Sequence, residues 1–143
     1  MTLPELPGWA LSLVDSARVA RLAFADPSGA PRVLPVTFAV VDGDVWSAID
    51  RKPKRTPEPA RVRYLRERPA AALCVDRYDD DWSRLAWVQL LGQVSVLGAG
   101  DGAAAMEALV AKYAQYRSER PPGPLLRLRV ERALSWRAAA PGR

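Results

Sequence analysis

Four cations crowd into six residues at Asp50-Arg51-Lys52-Pro53-Lys54-Arg55, directly after the apolar run Val45-Trp46-Ser47-Ala48-Ile49. Guanidinium forks and ammonium point charges bind phosphate or carboxylate through charge-assisted hydrogen bonds. Pro53 fixes φ, so less loop entropy is lost when an anion docks. A strand delivering a rigid cationic loop therefore has the composition of an anion grip. The same residues also suit a solvated loop, and residue types alone do not separate the two.

What the chain lacks narrows its chemistry further. It has no histidine and one cysteine, Cys74. That excludes a disulfide framework, a Cys/His zinc site and any mechanism built on an imidazole base. Cys74 lies within the apolar residues 70–75, the setting of a buried structural thiol. Asp79-Asp80-Asp81 offers three carboxylates, but neighbours in a chain diverge, and the glycine and distal Glu of a calcium loop are missing; a solvated loop paired with an Arg is the simpler reading. Trp82, Trp87 and Trp136 suit either cofactor walls or core and interface packing. The arginines of residues 61–68 face solvent or a second subunit in this reading, because no aromatic stacking platform accompanies them.

The elements that must position these residues follow from pattern. Residues 5–16 make a short helix with Leu11, Val14 and Leu13 toward the core. Residues 17–25 and 32–41 are β-prone and separated by Asp26-Pro27-Ser28-Gly29, a tight reversal. Asp42-Gly43 is a two-residue hairpin signal. It leads into a strand over 44–49, which places the basic loop at the end of a three-stranded meander. Residues 58–68 form a helix, with Pro59 in its first turn and Val62 and Leu65 on one face, and Pro69 ends it. Strands follow over 70–76 and 84–97, the second with a bulge or bend at Gly92. Residues 101–120 read as one helix, with Met106, Leu109, Val110 and Tyr113 inward and Asp101 as N-cap. The last strand alternates Leu126, Leu128 and Val130 against Arg127, Arg129 and Glu131. Six β segments with two or three helices predict a small antiparallel barrel, mainly β, with helices plugging its ends.

At 143 residues the chain is expected to be a single domain over 1–143, able to bury its own core. Its formal charge is +5, yet eighteen of the 21 cations are arginine, so net charge is weak evidence for a nucleic-acid partner. No apolar run approaches the ~20 residues that span a bilayer, and Met1-Thr2-Leu3-Pro4-Glu5 lacks a signal-peptide pattern. The expectation is a cytoplasmic protein with no membrane partner.

The order of motifs resembles one family. It is carried by Arg32-Val33-Leu34-Pro35-Val36-Thr37-Phe38, the strand ending Ala48-Ile49-Asp50, Lys52-Pro53-Lys54, the helix Arg61-Val62-Arg63-Tyr64-Leu65-Arg66, and Val75-Asp76-Arg77-Tyr78-Asp79-Asp80-Asp81-Trp82-Ser83-Arg84-Leu85-Ala86-Trp87-Val88. Over residues 15–137 the chain resembles the pyridoxamine-phosphate-oxidase-like split barrels, in the branch of probable F420-dependent oxidoreductases of actinobacteria. The resemblance implies a six-stranded antiparallel FMN-binding-type split barrel with flanking helices, a homodimer, and cofactor clefts at the subunit interface. It assigns the cofactor phosphate to Lys52 and Lys54 with Arg55 and Arg61. It lays the ring against Leu34, Pro35, Val36 and Thr37 and against Ser47, Ala48, Ile49 and Asp50. Trp82 and Trp87 would wall the cleft, and Trp136-Arg137 would reach over from the partner. Without histidine the chain lacks the Arg-x-His pair of the pyridoxamine phosphate oxidases proper, so vitamin B6 oxidation is not expected.

The implied activity is hydride transfer between reduced coenzyme F420 and a small organic substrate. The cofactor carries that chemistry, so no triad is required. Tyr78, Tyr64 or water would supply a proton. FMN is the alternative cofactor, and a non-catalytic flavin or deazaflavin carrier is the alternative function.

Overall fold

The computed structural model describes residues 1–49 and 58–139. Seven strands form one antiparallel sheet: β1 (Ala20–Ala25), β2 (Pro31–Val36), β3 (Ala39–Val41), β4 (Asp44–Ala48), β5 (Ala70–Arg77), β6 (Ala86–Leu97) and β7 (Leu125–Arg137). Their order is β2-β1-β5-β6-β7-β4-β3. The helices are α1 (Gly8–Ser16), α2 (Ala60–Glu67), α3 (Ala103–Lys112) and α4 (Ala114–Ser118).

Consecutive strands β2 and β3 stand at opposite ends of that order, although only Thr37 and Phe38 separate them. Two residues span at most roughly 7 Å. The sheet must therefore coil until its two edges nearly meet. Among the described residues no strand ladder closes the join, and the result is a split barrel, not a closed one. This corrects two expectations. The described residues form seven strands because residues 32–41 break in two, and β2, β3 and β4 do not form a meander, since β2 pairs with β1 and β3 pairs with β4. Fully buried Phe38 at the break explains the difference. Burying such a ring is worth roughly 1.5–3 kcal/mol, which outweighs the one or two ladder bonds a continuous strand would gain.

Both turns behave as their residues predict. Asp26 Oδ1 accepts from Ser28 N, Ser28 Oγ and Ala30 N, and Gly29 takes φ of 85°. Asp42 and Gly43 have φ of 53° and 80°, the two positive values a type I′ hairpin requires. At Gly92 the β6–β7 register slips, so that Leu91 faces Arg132, Gly92 faces Val130, and Glu131 is the extra residue. A Cβ at Gly92 would overlap the Arg129 carbonyl oxygen.

Alternation sorts the side chains into two cores. Val45, Ile49, Leu126, Leu128 and Val130 join the main cluster with Leu22, Phe24 and Leu90 and with Val14, Val62 and Leu65 from α1 and α2. Trp46, Ala48 and Leu125 point to the other face, against Met106, Leu109, Tyr113 and Tyr116. The predicted 101–120 helix is two helices, because Tyr113 is extended at φ −117° and ψ 117° between α3 and α4. Its N-cap is Gly102, not Asp101. Gly102 packs so tightly on Leu125 and Trp46 that a side chain there would collide with both. Among the described residues no helix is long and apolar enough to cross a membrane.

Candidate functional site at the barrel seam

Where the two sheet edges face each other lies a cleft of about 250 Å³, lined by Val19, Pro35, Val36, Thr37, Ser47 and Ala48. Two strands build it: the end of β2 with its break, and β4. Small-molecule pockets usually enclose roughly 300–1,000 Å³. This cleft is the size of a ring or ring edge, not of a dinucleotide or a tailed coenzyme.

Side chains stitch the seam in place of a ladder. Ser47 is buried and its Oγ donates to the Thr37 carbonyl at 2.6 Å. That uses its one proton, so its remaining lone pairs can only accept. Thr37 Oγ1 lies 2.6 Å from Tyr116 Oη. The Phe38 N–H donates to Tyr113 Oη at 3.1 Å. Tyr113 Oη in turn lies 3.0 Å from the Arg18 carbonyl and 3.1 Å from the Phe38 carbonyl. Lys112 Nζ donates to that same Phe38 carbonyl at 3.0 Å and sits 3.8 Å over the Phe38 ring. Burial, and then the nearby Arg18 charge, lowers the Lys112 pKa from 10.5 to about 8. Burial raises that of Tyr113.

Of the sequence-predicted residues, the structure brings Pro35, Val36, Thr37 and Ala48 to the cleft. Leu34 is half-buried beside it on β2, and Ile49 is buried in the main core. Asp50, Lys52, Lys54 and Arg55 lie outside the described residues. Arg61, on α2, has a buried Nε with no hydrogen-bond partner among the described residues. A buried guanidinium nitrogen without an acceptor is costly, and an anionic ligand oxygen would satisfy it.

The tryptophans are elsewhere. Trp87 pairs with Trp136 at one end of β6, whereas Ala48 pairs with Leu125 and Leu125 with Leu97 at the other. Ten residues of strand separate those ends, roughly 30 Å of chain. Trp82 is 68% exposed in the short turn before β6 and Trp136 is 44% exposed. Within one chain, then, neither Trp82 nor Trp87 walls this cleft. The aspartates build a turn: Asp79 accepts from Asp81 N and pairs with Arg84 at 3.2 Å, and Asp81 caps Ser83. No metal-holding group of His, Cys, Asp or Glu occurs among the described residues. Cys74 is half-buried, and burial pushes its thiol pKa up. Tyr78 is exposed, Tyr64 lies tilted against Phe24, and neither lines the cleft.

Sequence reasoning did not single out Tyr116, Lys112 or Arg18. Spacing marks Tyr113 only as a core position. The available signal was two hydroxyl-bearing rings three residues apart on a buried face, since a buried tyrosine hydroxyl needs a partner.

The pyridoxamine 5'-phosphate oxidase family model matches residues 10–137, and the chain belongs to that family. No curated protein matches the chain. Among solved structures, it is similar to a conserved hypothetical protein of Mycobacterium tuberculosis, at 18% identity and TM-score 0.74, covering 92% of this chain and 85% of that one. It is similar to an FAD-binding protein of Mesorhizobium loti, at 18% identity and TM-score 0.68, with coverages of 91% and 94%. It is also similar to an F420 reductase, at 21% identity and TM-score 0.68, with coverages of 90% and 98%. At such identities these likenesses concern the fold.

Proposed function

We propose that this protein is an F420-dependent oxidoreductase that holds a deazaflavin ring edge in the seam cleft. The carrying observation is the cleft between β2 and β4, lined by Pro35, Val36, Thr37, Ser47 and Ala48. Its chemistry suits a flavin-like ring. Val19, Pro35, Val36 and Ala48 offer apolar walls, Ser47 offers a hydrogen-bond acceptor, and Thr37 offers a hydroxyl of either sense. The Nε of Arg61, without a hydrogen-bond partner among the described residues, suits the cofactor's anionic portion, the role that the family resemblance also gives to Lys52, Lys54 and Arg55.

When bound, the deazaflavin supplies hydride transfer. The protein's own residues orient the ring, keep water from its edge and neutralise its phosphate. A cleft of about 250 Å³ holds only part of such a ligand, which supports a homodimer whose second subunit completes the site. The exposed Tyr78, Trp82 and Trp136 suit that interface, because large exposed aromatics are enriched where subunits meet.

The similarity to an FAD-binding protein supports a second reading, in which FMN or another flavin occupies the same cleft. Anaerobic mixing of the protein with reduced F420 and a panel of conjugated acceptors, followed by absorbance, tests the proposal. Acceptor-dependent reoxidation of F420 is expected. Binding without turnover for any acceptor would make the protein a carrier, and turnover with reduced FMN alone would favour the flavin reading.

A further inference from the structure

Two chain breaks meet at the seam. One is the Thr37-Phe38 step between β2 and β3, and the other is extended Tyr113 between α3 and α4. Their contacts divide by role. Among the described residues the Tyr113 hydroxyl bonds main chain, at Phe38 and Arg18, and Lys112 likewise holds the Phe38 carbonyl. Tyr116 alone of these residues reaches a side chain that lines the cleft, the Thr37 hydroxyl at 2.6 Å.

A threonine hydroxyl is a rotor whose hydrogen points wherever a partner suits it. In a cleft open to solvent it would sample several directions, and fixing one on binding costs free energy. Tyr116 is buried, with 3% of its surface exposed, and cannot follow a moving partner. Ser47 anchors the same residue through its carbonyl. Thr37 is thereby held at main chain and side chain at once.

We propose that Tyr116 is a positioning residue of the seam cleft, fixing the Thr37 side chain in the orientation that a bound ring edge meets. This rests on the reading of the cleft as a flavin or deazaflavin site. Tyr113 and Lys112 keep the adjoining Phe38 peptide in place and so act on the fold, whereas Tyr116 also holds a side chain that lines the cleft.

The test is a double-mutant cycle of Tyr116→Phe and Thr37→Val, with Thr37→Ser as the conservative variant, titrated with F420 and FMN. In parallel, three-bond scalar couplings to the Thr37 methyl carbon are measured in the ligand-free wild type and Tyr116→Phe. Loss of one neutral hydrogen bond corresponds to roughly three- to tenfold weaker binding. Each single variant is expected to show that loss, the double variant less than the sum of the two, and Thr37→Ser near-wild-type affinity. The couplings are expected to change from one rotamer to an average when Tyr116 loses its hydroxyl. Independent, additive losses or an unchanged Thr37 rotamer would overturn the proposal. If the wild type binds neither cofactor, the functional reading falls, and the couplings still decide whether Tyr116 positions Thr37.

Discussion

Ser47 Oγ and the Thr37 carbonyl meet at 2.6 Å at the barrel seam, tying β4 to the break between β2 and β3. Removing that hydroxyl leaves a partly buried carbonyl without its donor. Such a loss costs roughly 1–3 kcal/mol. Ser47→Ala is therefore expected to lower stability by that amount in urea denaturation and to weaken ligand binding at the cleft. Unchanged stability would mean that water replaces the serine and that the seam is looser than described.

Gly92 is required by space. Its Cβ would overlap the Arg129 carbonyl oxygen, which belongs to backbone and cannot rotate away. Gly92→Ala is expected to cost more than ~2 kcal/mol or to prevent folding. Gly100 provides the control, since nothing lies within 4 Å of a Cβ there; Gly100→Ala should change stability by less than ~0.5 kcal/mol. Thermal melts of the two variants, compared side by side, check this, and equal melting temperatures would contradict it.

Lys112 gives stability a pH dependence of known sign. Its pKa in the folded protein is about 8 against an ordinary 10.5, chiefly because burial disfavours the ammonium. Between those values the unfolded chain binds more protons than the folded one, so the contribution of Lys112 to stability rises with pH across that window. Below about pH 8 both states are protonated and the cost of burying the charge is present in full. The side chain is only half-buried, so the effect is smaller than the shift alone implies. The stability of the wild type minus that of Lys112→Met, from urea melts at pH 7.5 to 10, is expected to climb. A flat difference would place the ammonium in water.

Arg61 predicts opposite effects on stability and binding. Because its buried Nε has no partner among the described residues, Arg61→Met should leave stability unchanged or raise it. Affinity for a phosphate-bearing cofactor should fall about tenfold, as expected for one charge-assisted hydrogen bond. Denaturation and cofactor titration of the same preparation check both halves, and a clear loss of stability would show that Arg61 serves the fold.

Much of this was legible in the sequence, and the limits have physical causes. Asp42-Gly43 and Gly29 announced their geometry because positive φ is nearly restricted to those residue types, and Gly92 because a glycine inside a strand marks a bulge or a close backbone approach. The strands of the cleft were visible as β-prone runs between turn residues. The break at Thr37-Phe38 was not, because 32–41 is uniformly β-prone and only burial of Phe38 decides where it parts. Splitting of the 101–120 helix was likewise hidden, since Tyr113 leaves helical geometry while its hydroxyl engages main chain 75 positions away. Trp82 and Trp87 fit a cleft by type but lie at the far end of β6, a distance no local pattern encodes.

The most direct test is a fluorescence-quenching titration of the purified wild-type protein with F420 and with FMN, each at two salt concentrations. Saturable binding is expected, tighter for F420, and weakening as salt rises if the anionic tail meets the cations proposed for it, Lys52, Lys54, Arg55 and Arg61. Ser47→Ala and Tyr116→Phe should weaken it. Binding of neither cofactor would contradict the assignment of the seam cleft as a flavin or deazaflavin site, and a preference for FMN would contradict the F420 proposal while keeping the cleft.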